Sequence, residues 1–393
     1  MKTFKPSAAL QRLPNQFFAK LVKKVGEVMQ EHDDVINLGQ GNPDQPTPGH
    51  IVEKLRQTSG NPLYHKYAPF DGYPFLKEAI ASYYFREYGV KIDPTTEVAV
   101  LGGTKTGLVE ISQCFLNEGD IALVPDPGYP DYWSGIALAG GRMETMPLRA
   151  ENEFLPNFKE IPQSVLEKAK LMFLNYPNNP TGATATPELF EEAIALGKDY
   201  DVCIIHDFAY AAIGYEGKKP LSFLQIPGAK EVGVEMMTLS KTYNMAGWRV
   251  GFAVGNPSVI KALELIQDHY YCSLFGGIQE AAAHALLSEQ KSVEALVATY
   301  ESRRNVLVKA ATDIGWNVKA PAGSFFAWFP VPDGYRSEEF ANFLLEEARV
   351  VVAPGNGFGE WGEGFVRIGL LSNEKILREA MERIRQLHLF EKE

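Results

Sequence analysis

Cysteine is scarce in this 393-residue chain, which holds three: Cys114, Cys203 and Cys272. The number is odd and no two sit in the close pairing of zinc or dithiol sites. Neither a disulfide framework nor a cysteine-built metal or redox centre is therefore expected. No apolar run reaches the roughly 20 residues that a membrane-crossing helix needs. The opening stretch MKTFKPSAALQRLPNQFF carries charge and proline where an export signal has unbroken apolar residues, so the cytoplasm is the expected location. Positive charge is also short, since 38 Lys and Arg against 49 Asp and Glu leave a formal net charge of −11. A polyanion partner normally meets a basic face, so nucleic acid is not expected as a partner. Repeats, low-complexity tracts and Ser/Gly linkers are missing as well, which leaves domain boundaries to be read from changes in pattern.

What is present is the balance of an ordinary globular protein, at a length that calls for two domains or one large domain with a satellite. From about residue 96 to 255, short apolar runs alternate with longer amphipathic ones. The runs EVAVLGG, IALVPDP, LMFLNYP, VCIIHDF, EMMTLSK and VGFAVGN are nearly continuous in Val, Ile, Leu, Met and Phe. Strands covered on both faces read this way, so an α/β fold is predicted. Further on, the pattern gives a helix over 293–313, a strand at SFFAWFP, a helix over 337–348, strands at 349–353 and FVRIGL, and a helix over 374–388. The expected division is a large domain over 46–285 and a smaller α/β domain built from 1–45 and 286–393.

Ligands of open α/β sheets gather beyond the carboxyl ends of the strands, so the residues closing these runs form a set. Lys241 closes EMMTLSK, where a desolvated amine can lose its proton and attack a carbonyl carbon; a lysine simply leaving the sheet edge is the competing reading. Eight residues on, in AGWRVG, Arg249 sits among glycines that let backbone approach a ligand closely, and its guanidinium can clamp a phosphate. Asp207 closes VCIIHDF, and a carboxylate there is costly unless a cation answers it, although an Asp capping a helix is a common alternative. GGTKTG reads as a glycine turn opening a helix, with Gly103, Thr104 and Lys105 around an anion site, while matching neither the Walker pattern nor the dinucleotide fingerprint.

SKTYNMAGWRVG resembles the SKxxxxxGxRxG signature of the class I and II aminotransferases, fold-type-I enzymes that use pyridoxal 5'-phosphate. The resemblance implies a seven-stranded, mostly parallel α/β/α large domain. It makes Lys241 the lysine that holds the cofactor as a Schiff base, Arg249 a ligand of its phosphate, and Thr238 a further hydroxyl. Asp207 would face the protonated pyridine nitrogen, and Tyr210, in DFAY, the ring 3'-oxygen. NYPNNPTG resembles the family's NPxNPTG turn, with Tyr176 in place of the first proline, and puts Asn179 beside the same oxygen and the substrate. In DPGYPDYW, Tyr129 falls where an aromatic ring stacks on the cofactor, and Tyr132 is expected to line the substrate pocket. Arg367, in FVRIGL, matches the arginine that takes the substrate α-carboxylate, and Gly39, in INLGQGNPD, approaches the same group.

YAPFDGYPFLKEAI resembles the YxxxxGxxxLR pattern, with Lys77 replacing its arginine. Its tyrosine, Tyr67, would reach the cofactor phosphate of a neighbouring subunit, which implies a homodimer with shared active sites. The activity implied is ping-pong transfer of an amino group between an amino acid and a 2-oxo acid. Segments such as NLGQGNPDQPTP, DPGYPDYWSG and HDFAYAA are similar to the bacterial methionine-salvage branch, which aminates 4-methylthio-2-oxobutanoate with glutamine or another donor. Branches acting on alanine, aromatic amino acids, kynurenine or LL-diaminopimelate share the core, as do C–S lyases. A non-enzyme alternative, the aminotransferase-like regulator with a fused winged helix, is disfavoured: 35 residues precede INLGQG, and the net charge is acidic.

Overall fold

The structure, a computed structural model, describes residues 1–14, 17–270 and 273–390. Cys272 lies outside them, while Cys114 and Cys203 are free thiols. No helix among the described residues is long and apolar enough to cross a membrane.

The described residues form twelve strands: β1 (Ile36–Asn37), β2 (Val98–Leu101), β3 (Ile121–Asp126), β4 (Arg142–Pro147), β5 (Ala169–Asn175), β6 (Cys203–Asp207), β7 (Gly233–Thr238), β8 (Gly251–Gly255), β9 (Phe326–Pro330), β10 (Val350–Val351), β11 (Ala353–Pro354) and β12 (Phe365–Gly369). Seven form the central sheet in the order β2-β8-β7-β6-β5-β3-β4, parallel except for β8, which runs antiparallel to both neighbours. The continuous apolar runs are β2, β3, β5, β6, β7 and β8, each buried along nearly all its length because helices cover both faces. β4 escapes the sequence reading for the opposite physical reason: RMETMP is a sheet-edge strand, largely exposed, and carries no apolar run.

The reversal of β8 decides where the site forms. Lys241 follows β7 and Arg249 precedes β8, and because the two strands are antiparallel, with Thr238 opposite Gly251, both residues come to the same sheet edge. β2 is antiparallel to β8 in turn, so its end, Leu101 opposite Gly251, delivers Gly103 there too. Register does the rest, setting Asn175 of β5 opposite Asp207 of β6.

A buried polar knot fastens the interior. The Glu235 carboxylate on β7 receives the Tyr84 hydroxyl (2.9 Å), the Ser222 hydroxyl (2.7 Å) and the Phe223 amide (2.8 Å). His206 of β6 bridges that carboxylate (2.8 Å) to the Tyr176 carbonyl (2.9 Å). Satisfying every lone pair in this way is what makes a fully buried carboxylate tolerable.

The remaining strands form two small sheets, β1-β10 and β11-β12-β9, flanked by helices Lys291–Asp313, Ser337–Ala348 and Glu374–Arg385. These match the sequence pattern, except that the strand expected over 349–353 is two short ones. The N-terminal segment joins this part: β1 pairs with β10, the Gly369 amide donates to the Leu38 carbonyl (2.7 Å), and Asp44 forms a two-point ion pair with Arg303 (2.9 and 2.8 Å).

Candidate active site

The strand ends and the N-terminal segment enclose a cavity of about 720 Å³. Lys241 enters it from a single helical turn, Leu239–Thr242, capped by the Thr238 hydroxyl, which accepts the Ser240 amide (3.2 Å). Its Nζ donates to the Gly41 carbonyl (3.1 Å) and lies 5.3 Å from the centre of the Phe325 ring. Burial, reinforced by the positive charges of Arg367 and Arg249, pulls the amine down to about 8, against the pull of Asp207. Near physiological pH roughly a tenth to a fifth of such an amine is neutral, far more than of an ordinary lysine with a pKa of about 10.4, which favours nucleophilic attack and proton transfer.

Asp207, at the end of β6, is buried. Desolvation pushes its carboxyl up to about 6, while the Tyr132 hydroxyl, donating to Oδ2 at 2.8 Å, favours the anion. The other oxygen, Oδ1, has no hydrogen-bond partner among the described residues, although Asp207 lines the cavity. An unanswered buried carboxylate oxygen asks for a cationic N–H donor, and a protonated pyridine supplies one.

At the other end of the cavity, helix Thr104–Phe115 begins at Gly103 (φ 90°) with no side chain capping its first amides. Thr104, Lys105 and Arg249 line the wall beside them. Arg249 takes a left-handed φ of 55°, and a Cβ on Gly103 would collide with its guanidinium. Free amides, the helix dipole and an arginine together make a phosphate site. Tyr129, Asn179 and Tyr210 line the space between the two ends; burial raises the pKa of both phenols, which stay protonated hydrogen-bond donors. A buried carboxylate with an unpartnered oxygen, an amine of lowered pKa, and uncapped helix amides beside an arginine are the kinds of group pyridoxal phosphate needs, and Asp207, Lys241, Thr104, Thr238 and Arg249 all line this one cavity.

Arg367, in the middle strand of the β11-β12-β9 sheet, reaches the cavity from the side of that sheet. Its guanidinium donates to Asn179 Oδ1 (2.9 Å) and the Gly39 carbonyl (3.0 Å). It lies between two rings, 3.9 Å from the centre of Phe326 and 4.7 Å from that of Phe358. Desolvation lowers its pKa to about 10, still far above neutrality, so a permanent cation waits in a slot between two rings. Gly39 packs so tightly on β10 that a Cβ would stand 3.2 Å from Val351 Cγ1, which brings its carbonyl within reach of Arg367.

Two expected site residues lie elsewhere. Tyr132 is fully buried behind Asp207, its ring stacked 4.9 Å from Phe173, and does not line the cavity; the contact it makes is with the back of the carboxylate. Tyr67 is 88% exposed and is not among the residues lining its own chain's cavity. Lys105 is at the wall but is ion-paired with Asp131 (3.0 Å). Sequence reasoning passed over Asn175, which accepts the Asn179 amide (2.8 Å) and donates to the Asp207 carbonyl (2.8 Å), fixing both. It also passed over the apolar wall of Leu21, Val22, Val25 and Met29, on helix Phe17–Glu31, and the rings Phe326 and Phe358. The helix's apolar stripe was the available signal, but a stripe does not say which surface it covers.

Residues 33–384 match the family model "Aminotransferase class I and II". The chain is 60% identical over 387 residues to the L-glutamine–4-(methylsulfanyl)-2-oxobutanoate aminotransferase of Bacillus subtilis strain 168, covering 98% of this chain and 97% of that one. It is 44% identical to the LL-diaminopimelate aminotransferase of Moorella thermoacetica over 96% of this chain and 97% of the relative. Among solved structures, apo-BacF from Bacillus subtilis superposes with a TM-score of 0.95 at 49% identity, over the full length of both chains.

Proposed function

Since the chain belongs to the class I and II aminotransferases, which depend on pyridoxal phosphate, we propose that it transfers an amino group to 4-methylthio-2-oxobutanoate, giving methionine, with glutamine or a similar amino acid as donor. The observation that carries the substrate reading is the shape of the cavity. It offers one fixed cation, Arg367 between its two rings, for an α-carboxylate, and an apolar wall of Leu21, Val22, Val25 and Met29 for the side chain. A methylthioethyl chain suits that wall. Among the described residues that wall carries no charge to meet the distal ammonium and carboxylate of a diaminopimelate.

Pyridoxal phosphate, when bound, supplies an aldehyde for the Lys241 amine and a ring able to withdraw electrons from the substrate Cα. Asp207, with Tyr132 behind it, would offer its negative charge to the ring nitrogen. The uncapped amides after Gly103, with Thr238 and Arg249, would hold the phosphate. Arg367 and the Gly39 backbone orient the substrate carboxylate, which turns the Cα proton toward Lys241. Once its amine is free, Lys241 takes that proton, a role its lowered pKa suits.

The working domain division is 46–285 against 1–45 with 286–393, and the cytoplasm is the proposed location. The assembly is a homodimer in which Tyr67, exposed here beside the exposed Phe70 and Leu63, completes the partner's phosphate site. A mixed dimer of Tyr67→Phe and Lys241→Ala chains tests sharing: both lesions then fall in one site, and half the sites keep wild-type cofactor affinity. A monomer by light scattering at assay concentration, or no wild-type sites, refutes it. The substrate reading is tested by presenting single amino acids, then a panel of 2-oxo acids, and following cofactor absorbance. Preference for LL-diaminopimelate or aromatic substrates over methionine and its 2-oxo acid would overturn it.

A further inference from the structure

Asp126 closes β3 and is buried, yet it touches none of the groups that hold cofactor or substrate. Its carboxylate faces a turn of the small domain instead, accepting the Glu360 amide at Oδ2 (3.2 Å) and the Trp361 amide at Oδ1 (3.0 Å). Two residues on, the Gly128 amide donates to the Phe358 carbonyl (2.9 Å). The Arg149 guanidinium, from the chain just after β4, lies 4.5 Å from the centre of the Trp361 ring. Gly359 is at φ 137°, and a Cβ there would collide with the Asp126 carboxylate, so the turn closes onto it as tightly as backbone allows.

The turn carries Phe358, one wall of the slot that holds Arg367, and the residue following Gly128 is Tyr129, which lines the cofactor end of the cavity. We infer that Asp126 is a positioning residue for the substrate carboxylate, fixing the Phe358 wall of the Arg367 slot in register with the strand end that bears Tyr129. The inference rests on Arg367 as the carboxylate subsite. Charge-assisted bonds to two successive amides hold a turn more rigidly than neutral ones, and a slot displaced by a fraction of an ångström admits water and misaligns a two-point fork.

The test is made on the holoenzyme with two inhibitors, 4-(methylthio)butanoate and its neutral amide, which share the side chain and differ in the carboxylate. Asp126→Asn keeps the shape but sets an NH2 group against one amide; Gly359→Ala pushes the turn from the other side. Each is expected to weaken carboxylate inhibition about tenfold while leaving amide inhibition and cofactor absorbance as in the wild type, with Arg367→Lys showing the same selectivity. Wild-type carboxylate inhibition in both variants, or equal losses for carboxylate and amide, would overturn the inference. If Arg367→Lys itself leaves carboxylate inhibition unchanged, the subsite reading fails, and the inference with it.

Discussion

Replacing Tyr132 by phenylalanine removes one oxygen atom from the fully buried side behind Asp207 and leaves the ring on its Phe173 neighbour, 4.9 Å away. The lost bond, 2.8 Å from hydroxyl to carboxylate, is of the kind worth about 1.5–3 kcal/mol when the acceptor is charged. At 1.36 kcal/mol per pKa unit, the Asp207 carboxyl should rise by roughly 1–2 units. It starts at about 6, so in the cofactor-free variant it would titrate at roughly 7–8. At pH 7 the wild type then holds an anion for the ring nitrogen, whereas much of the variant holds a neutral acid. The same shift has a signature in stability. A carboxyl whose folded pKa exceeds its unfolded value, roughly 4, keeps a proton that the unfolded chain has lost, so ionising it destabilises the fold as pH rises through that window. In Tyr132→Phe the window extends upward, and the thermal midpoint of the cofactor-free variant should fall further below the wild type at pH 8 than at pH 5. Absorbance titration with pyridoxal phosphate from pH 6 to 9 should show the variant's affinity weakening below about pH 8, where the wild type still binds tightly. Superimposable pH profiles for the two proteins would refute the coupling between phenol and carboxylate.

Lys241→Ala is expected to abolish turnover while preserving the fold, and borohydride reduction of the wild type should attach the cofactor to the Lys241 peptide and no other. In the cofactor-free protein, pulsed labelling with an amine reagent should modify Lys241 half-maximally near pH 8, whereas exposed lysines follow their usual pKa of about 10.4; identical pH dependence for all lysines would contradict the burial argument. Gly103→Ala places a Cβ against Arg249 at a backbone φ of 90°. Strain of about 1–2 kcal/mol and a displaced guanidinium should reduce cofactor affinity about tenfold or more, read by equilibrium titration, with substrate KM little changed once cofactor saturates. Glu235→Leu strands the Tyr84 and Ser222 hydroxyls, the Phe223 amide and His206 in the interior, so a loss of about 3–5 kcal/mol is expected as a lower thermal midpoint; a wild-type midpoint would show the knot contributes no stability.

The sequence carried the sheet and the chemical centre together because both are written locally. Lys241, Asp207, Asn179 and Arg249 each close or adjoin a continuous apolar run, and the backbone direction of a strand fixes where its last side chain goes. Contacts set by packing between distant segments were hidden. Tyr132 and Asp207 are 75 residues apart, and nothing in DPGYPDYW tells which face of the helix Asp131–Ala139 its phenol occupies. The Asp126 carboxylate meets amides more than 230 residues away, through a turn whose backbone donors have no sequence signature. β4 was invisible because an exposed edge strand needs no apolar pattern.

Lys241, Arg367 and the apolar wall open onto one and the same cavity, and this makes the two half-reactions rivals for space. Donor and acceptor each bring an α-carboxylate, and with Arg367 as the proposed carboxylate subsite both need the same buried cation. The two substrates must therefore queue. An excess of 2-oxo acid, seated before an amino acid has delivered its nitrogen, blocks the entry of that amino acid, and the block should be relieved competitively by more donor. Flux through such a site is greatest at a particular ratio of the two metabolites rather than at saturation of both, so the enzyme's rate reports the balance of the nitrogen pool as well as its size.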